Sequence, residues 1–491
     1  MDSITGFVAR LLTGHGSEAP PRTARGRRRS RDGDAVSDAA DPLQLAPGVR
    51  RLRPDDHFMI LSETDASPMH VGALILLDVP PAEQDGFAAA IRRQFAERLP
   101  ATPLLVRLHE APDGFDSDVW ADLATCNLDA LVAVQPHPGA WSETELYEAV
   151  AMLNMRRLDL EGPPFAAHVF ERLADGGSAL YLKMHHSVAD GIGFQTVLGL
   201  LSDAAPPVPP RSADAVLPDA GTWRVLAQTH YADQAELRAA QSERRKAALA
   251  ELEAHKGERA PTPQLRMSGP TSARRRYATI SVPLARVKAA GQALGATVND
   301  IFLTLASGAI RAFLIEADDL PGTPVVINSA RSYRRPEHGD FGNRIVALHP
   351  HLATHLADPV ARLRAIQASM AAEMRRTPHD EALLDAADKP FGAKDRRAAF
   401  AERMAGGRRL LPGNLTLSNV PGPAAARSYA GFRQRHNYPV PIIGSGRFLN
   451  ITSRRSGDNL DMGVVADADK IADAGRIAAL FAAALDELEG L

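Results

Sequence analysis

The residues with most to offer chemically lie in one run, Tyr181-Leu-Lys-Met-His185-His186-Ser-Val-Ala-Asp190-Gly191-Ile-Gly193-Phe194. An imidazole titrates near neutral pH, so a histidine presented to a hydroxyl is a natural general base. The run reads as the end of a strand followed by the start of a helix. Adjacent residues on a strand face opposite sides. His185 and His186 therefore cannot both enter one cleft: one is available for chemistry, and the other packs or hydrogen-bonds. The same geometry argues against a metal pair, whose ligands must converge, and no H-E-x-x-H or paired-cysteine pattern is present. Asp190 and Gly191 fall where the strand leaves the sheet. An aspartate there can orient an imidazole or pair with an arginine to hold the loop. Gly191 permits positive φ or the close approach of another segment. With 16 histidines in the chain, a lone one is structural by default. The HHxxxDG pattern as a whole is what points to acid–base catalysis.

Positioning these residues requires strands and helices in alternation. Strand-like runs occur at 72–77, 168–173 and 179–184, with helical patterns at 82–98 and 143–153. A Pro-rich stretch at 204–210 suits a linker, and 223–255 reads as one or two long charged helices before a second Pro/Gly stretch at 256–272. The alternation then resumes. A strand at 276–282 precedes a helix from Pro283 and a long apolar helix over 298–316. Strands at 324–328 and 344–349, a helix at 359–374, strands at 414–419, 448–453 and 460–466, and a helix at 471–488 complete the chain. This is an α/β pattern in two comparable halves. The expected divisions are a tail at 1–42, a lobe at 43–203 carrying HHxxxDG, a crossover at 204–272 and a second lobe at 273–491.

Bulk properties narrow the function. A chain of 491 residues suggests two or three domains. The net charge of −3 argues against a nucleic-acid binder, which is normally basic over a whole domain. The single cysteine, Cys126, excludes an internal disulfide and fits a reducing compartment. The longest apolar runs, such as 71–77, are strand-sized and fall short of the roughly 18 residues a bilayer span needs. At the N-terminus, Ile4, Phe7, Val8, Leu11 and Leu12 repeat at helical spacing, and Arg22, Arg25, Arg27, Arg28, Arg29 and Arg31 follow. A secretory signal has the opposite order. An amphipathic helix with a polybasic patch is one reading, giving a cytoplasmic protein held peripherally on the inner face of the plasma membrane or on a lipid droplet. A tail whose first helix packs on the body or on nothing is the other.

HHxxxDG resembles the signature of the CoA-dependent acyltransferase superfamily, and the chain from about Leu52 onward is similar to the bacterial wax ester synthase/diacylglycerol acyltransferase family. Five further stretches carry the resemblance: Pro54-Asp-Asp-His-Phe-Met-Ile-Leu, Pro68-Met-His-Val-Gly72, Thr297-Val-Asn299-Asp300, Phe341-Gly-Asn343-Arg344, and Leu417-Ser418-Asn419-Val-Pro421-Gly422-Pro423. One departure is visible. The family's Pro-Leu-Trp is replaced by Gly162-Pro163-Pro164-Phe165, which bears on the shape of the acyl pocket.

The resemblance implies an α/β fold of two chloramphenicol-acetyltransferase-like lobes with mixed sheets and an active-site channel between them. It implies transfer of a fatty acyl group from acyl-CoA, as co-substrate, to diacylglycerol or a long-chain alcohol, with no metal or redox cofactor. His186 takes the catalytic place and Asp190 the structural one. His185 reads as a packed neighbour. Asn299, Ser418 and Asn419 are candidate donors to the tetrahedral oxyanion. Asn299 equally suits a helix cap, Asp300 suits a first helical turn, and Asn419 suits a turn before Val-Pro-Gly-Pro. Arg344 is a candidate partner for Asp190. Two other functions compete: a condensation-type enzyme acting on carrier-bound thioesters, and a non-catalytic lipid-binding protein on the same fold.

Overall fold

The computed structural model describes residues 43–384 and 412–490. The N-terminal apolar stripe and arginine cluster lie outside the described residues.

Two six-stranded sheets and one small sheet organise the chain. The first large sheet is built on β3 (His70–Leu77), β6 (Val132–Val134), β7 (Phe165–Phe170) and β8 (Ser178–His185). Its order is β13-β14-β3-β8-β7-β6, where β13 (Ser428–Tyr429) and β14 (Phe432–Val440) come from the far end of the chain. The second large sheet runs β11-β10-β12-β15-β16-β9. Its strands are β9 (Arg275–Pro283), β10 (Ile327–Ser332), β11 (Ile345–Leu348), β12 (Leu415–Val420), β15 (Leu449–Ser456) and β16 (Asn459–Asp467). Both sheets are mixed: β6 pairs parallel with β7, and β10–β12 and β12–β15 are parallel within an otherwise antiparallel sheet. The small sheet joins β1 (Gln44–Ala46), β2 (Val49–Arg51), β4 (Val106–His109) and β5 (Val119–Asp122) in the order β1-β2-β5-β4.

Helices cover these sheets. Ten are described: α1 (Pro54–Ser62), α2 (Phe87–Arg98), α3 (Leu128–Leu131), α4 (Glu143–Met155), α5 (Gly191–Leu200), α6 (Ala220–Ala254), α7 (Leu284–Leu294), α8 (Val298–Glu316), α9 (Pro359–Leu384) and α10 (Ala474–Glu489). Local sequence sets their ends. Ser142 and Glu145 form a reciprocal capping box on α4, and Thr297 and Asp300 do the same on α8. Gly295 ends α7 at φ 61°, a left-handed conformation that glycine adopts without a side-chain penalty. On α10, Ile477, Leu480, Phe481, Ala484, Leu485 and Leu488 form the stripe buried against α8 and the second sheet.

Several expectations change. The expected helix 82–98 is a 3₁₀ turn, Pro81–Gly86, followed by α2, because Pro80 and Pro81 open the segment and Gly86 interrupts it. The expected strand 168–173 lies earlier, at β7. The long charged segment is a single helix, α6, with Trp223 and Ala227 buried near one end and Ala248 and Leu252 near the other. The helix expected to end at 374 runs on through Pro378 to Leu384. By hydropathy α8 is also long and apolar enough to cross a membrane, contrary to the apolar-run reading. Here it is the central helix of the second core, with Ile301, Phe302, Leu305, Ala306, Ala309 and Ile310 buried in it. The largest change is β14. Its pairing with β3 carries residues 432–440 of the second half into the first sheet, across the boundary drawn at residue 273.

Candidate active site

Strand β8 pairs with β3 along its full length and ends at His185, placed opposite His70. The side chain of His185 is fully buried. Its Nδ1 lies 2.6 Å from Ser187 Oγ, and its Nε2 lies 3.7 Å from Glu63 Oε1. His70 Nε2 reaches the same carboxylate oxygen at 3.4 Å. Burial pulls the His185 pKa down to about 3, so the ring is neutral at physiological pH. Burial alone would raise Glu63, yet the hydrogen bond from His70, with nearby His185 and Arg157, holds its carboxyl down to about 2. His185 thus belongs to a buried polar cluster behind the strand.

His186 faces the other way and lines a cavity of about 280 Å³. Its backbone is clamped on both sides: its N–H donates to Met69 O at 2.7 Å, and its carbonyl accepts from Asn343 Nδ2 at 2.7 Å. The buried Nδ1 has no well-aligned hydrogen-bond partner. Burial lowers the imidazole pKa, opposed by the charge of Asp190, the residue's own carbonyl and Asn343. A neutral imidazole in a cavity can accept a proton.

Asp190 is the N-cap of α5, and Oδ1 accepts from Ile192 N at 3.1 Å and Gly193 N at 3.0 Å. Its other oxygen accepts from Arg344 N at 3.0 Å and from Arg334 Nη2 at 2.9 Å. The arginine partner is therefore Arg334. Arg344 contributes its backbone, because the chain runs past Asp190 just after Gly342. Arg334 also donates to the carbonyls of Gly339, Phe341 and Gly342 at 2.7, 2.9 and 2.5 Å. Gly191 has no positive φ. Its small size serves close approach instead: a Cβ there would lie 3.1 Å from Val420 Cγ2.

Four of the family-like stretches interlock here. Asn343 bridges His186 O to Asp56, which accepts from its N–H at 2.7 Å and its Nδ2 at 2.8 Å. Gly342 N donates to Val188 O at 2.9 Å. The Pro54, Pro68 and Phe341 stretches thus contribute Asp56, Met69 and Asn343 to one scaffold around HHxxxDG. Burial raises the Asp56 pKa, and Asn343, Arg53 and Arg344 oppose the shift.

The remaining candidates divide. Along β12, Leu415 and Leu417 enter the core, while Thr416, Ser418 and Val420 line the cavity. Asn419 also lines it, but its side chain is engaged, accepting from Ser453 Oγ at 3.0 Å and donating to Asn299 Oδ1 at 3.4 Å. Asn299 does not line the cavity. As a direct oxyanion donor it is misplaced, and as a helix cap it is displaced by Thr297; its contact is with Asn419. Asp300 accepts from Thr297 N at 2.9 Å in the capping box, a structural role. Phe165 does not line the cavity either. It is buried in the first lobe's core and paired with Met184, so the Pro164-Phe165 departure acts through packing on the Met184 face of β8, opposite His185.

Asp56, Glu63 and Arg334 escaped the sequence reading. Asp56 lay inside a recognised stretch, whereas Arg334 sits in an arginine-rich turn with no distinguishing spacing.

The family model described as the wax ester synthase/diacylglycerol acyltransferase catalytic domain matches residues 52–302. The corresponding C-terminal domain model matches residues 341–489. A putative diacylglycerol O-acyltransferase of Mycobacterium tuberculosis is 31% identical over 463 residues, covering 89% of this chain and 99% of the relative. A probable diacylglycerol O-acyltransferase of the same organism is 30% identical over 458 residues, covering 89% and 98%. Among solved structures, the wax ester synthase/diacylglycerol acyltransferase of Marinobacter aquaeolei VT8 shares the fold, with a TM-score of 0.62, 24% identity and coverage of 90% of this chain and 100% of that one. The first condensation domain of the CDA synthetase shares it at a TM-score of 0.54, with 16% identity and coverage of 89% and 94%. The chain is an acyltransferase and belongs to the wax ester synthase/diacylglycerol acyltransferase family.

Proposed function

We propose that the protein transfers a fatty acyl group from acyl-CoA to the hydroxyl of diacylglycerol or a long-chain alcohol, with His186 as general base. The observation that carries this reading is the placement of His186: neutral, on the cavity wall, with its backbone clamped from two sides. The acceptor hydroxyl gives its proton to the imidazole as its oxygen attacks the thioester carbonyl carbon. The tetrahedral intermediate collapses with cleavage of the C–S bond, and the imidazolium returns the proton to the departing thiolate. The products are an ester and free CoA. Holding both substrates in one cavity removes much of the entropic cost of their encounter. The Ser418 hydroxyl lines the same cavity, which supports it as a donor to the oxyanion.

The test is acceptor-dependent release of free CoA from palmitoyl-CoA, with dioleoylglycerol or hexadecanol as acceptor. Release with either acceptor is expected, with the matching triacylglycerol or wax ester as product. Absence of release by folded protein, together with transfer from a palmitoylated carrier protein, would shift the assignment to carrier-bound thioesters.

A further inference from the structure

The cavity wall contributed by β15 alternates with the strand's pleat. Leu449 and Ile451 enter the core, while Asn450, Thr452 and Arg454 line the cavity. The first two polar groups are satisfied: Asn450 Nδ2 donates to Ile442 O at 2.6 Å, and Thr452 Oγ1 donates to Asn450 Oδ1 at 3.1 Å. Arg454 is different. It is 2% exposed. Its Nη1 donates to Asn437 Oδ1 at 2.6 Å, its guanidinium carbon lies 5.8 Å from the centre of the Phe194 ring, and its buried Nε has no hydrogen-bond partner. Among the described residues it forms no ion pair. Asp461, registered opposite on β16, spends its oxygens on Ser281, His436 and the Asn437 backbone.

A guanidinium carries five N–H donors, and taking it out of water is expensive without matching acceptors. A neutral amide and a ring face leave the buried Nε–H without an acceptor and the charge without a hydrogen-bonded anion. Burial, with Arg427 nearby, pulls the pKa down to about 9, which leaves the group cationic at neutral pH. Its location is informative. Arg454 is registered with Val420 on β12, and Val420 packs against Gly191, the residue after Asp190. Arg454 therefore lines the cavity at the end that the HHxxxDG turn closes.

The two acceptor classes differ in what they offer such a donor. A long-chain alcohol has no polar group beyond the hydroxyl that must react. A diacylglycerol carries two ester carbonyls beside its hydroxyl. We propose that Arg454 is the specificity-determining residue for the acceptor: its N–H groups donate to an ester carbonyl of a diacylglycerol, orient the free hydroxyl toward His186, and favour glycerides over simple alcohols. This rests on the acyl-CoA transfer proposed above.

The experiment compares kcat/KM for three acceptors with saturating palmitoyl-CoA. They are 1,2-dioleoylglycerol, its 1,2-di-O-oleyl ether analogue without carbonyls, and hexadecanol. A hydrogen bond to a charged donor predicts that the wild type prefers the diester to the diether by about 10- to 100-fold. Arg454→Met erases that preference by lowering kcat/KM for the diester to about that for the diether, and Arg454→Lys restores part of it. The proposal is overturned if the preference survives in Arg454→Met, or if that variant slows all three acceptors alike. Should Arg454→Met not fold, the wild-type comparison still decides: equal use of diester and diether overturns the proposal. Wild type inactive with every acceptor overturns the transfer reading itself, a result distinct from activity without ester preference.

Discussion

Asp190 Oδ2 lies 2.9 Å from Arg334 Nη2, with the aspartate side chain 1% and the arginine side chain 10% exposed. This contact joins residues 144 positions apart and ties the turn after His186 to the second half of the chain. The aspartate of HHxxxDG is therefore fully occupied with holding the turn, by two α5 amides, the Arg344 amide and the Arg334 guanidinium.

Breaking that pair leaves the other charge buried and unpaired, which costs about 3–5 kcal/mol. Arg334→Met is expected to lower the midpoint of chemical denaturation by an amount of this order and to reduce kcat, because the His186 loop loses its anchor. Asp190→Asn combined with Arg334→Met is expected to cost well under the sum of the two single changes. Additive losses in denaturant melts would show that the two residues do not act together.

Buried groups on β7, on β8 and in the Glu63 cluster set how stability responds to acid. His185 and His168 have folded pKa values of about 3 and about 4, below the ordinary value of 6.5, both chiefly through burial. The unfolded chain binds their protons first, so stability is complete above about pH 6.5 and falls as pH drops toward 4. Glu63, held at about 2 against an ordinary 4.5, adds a second loss below about pH 4.5. Denaturation midpoints measured from pH 8 to pH 3.5 are expected to decline from near pH 6.5. Glu63→Gln should flatten the lower limb and, by loosening Met69 (3.3 Å from the carboxylate), lower kcat with little change in KM. A midpoint independent of pH down to 4 would contradict the buried neutral histidines.

Gly191 permits close packing against Val420. Gly191→Ala places a methyl 3.1 Å from Val420 Cγ2 and is expected to cost about 1–3 kcal/mol as overpacking, with reduced activity. Val420→Ala in the same chain should restore part of both. No rescue in melting temperature or rate would place the strain elsewhere.

Much of this was legible in the sequence because local rules governed it. The strand–turn–helix of HHxxxDG, the opposed faces of His185 and His186, and the α/β alternation follow from periodicity and turn chemistry. What escaped depended on contacts distant in sequence. β14 includes Arg433, Gln434, Arg435, His436 and Pro439, so its composition resembles a loop; pairing with β3, distant in sequence, holds 434–440 as a strand. Spacing cannot distinguish Arg334 from Arg344, because it does not show which guanidinium reaches Asp190. Asn299 looked like a cap or a donor. Thr297, two residues earlier, takes the cap, and the pleat of β12 sets Asn419 between Asn299 and the cavity.

The most direct test of the account replaces His186 with alanine and follows CoA release from palmitoyl-CoA in the presence of acceptor, with wild-type and variant melting profiles compared. Loss of the base predicts turnover lower by on the order of 10²–10⁴-fold in a folded variant. Near-wild-type turnover by folded His186→Ala would contradict the assignment of His186 as the base.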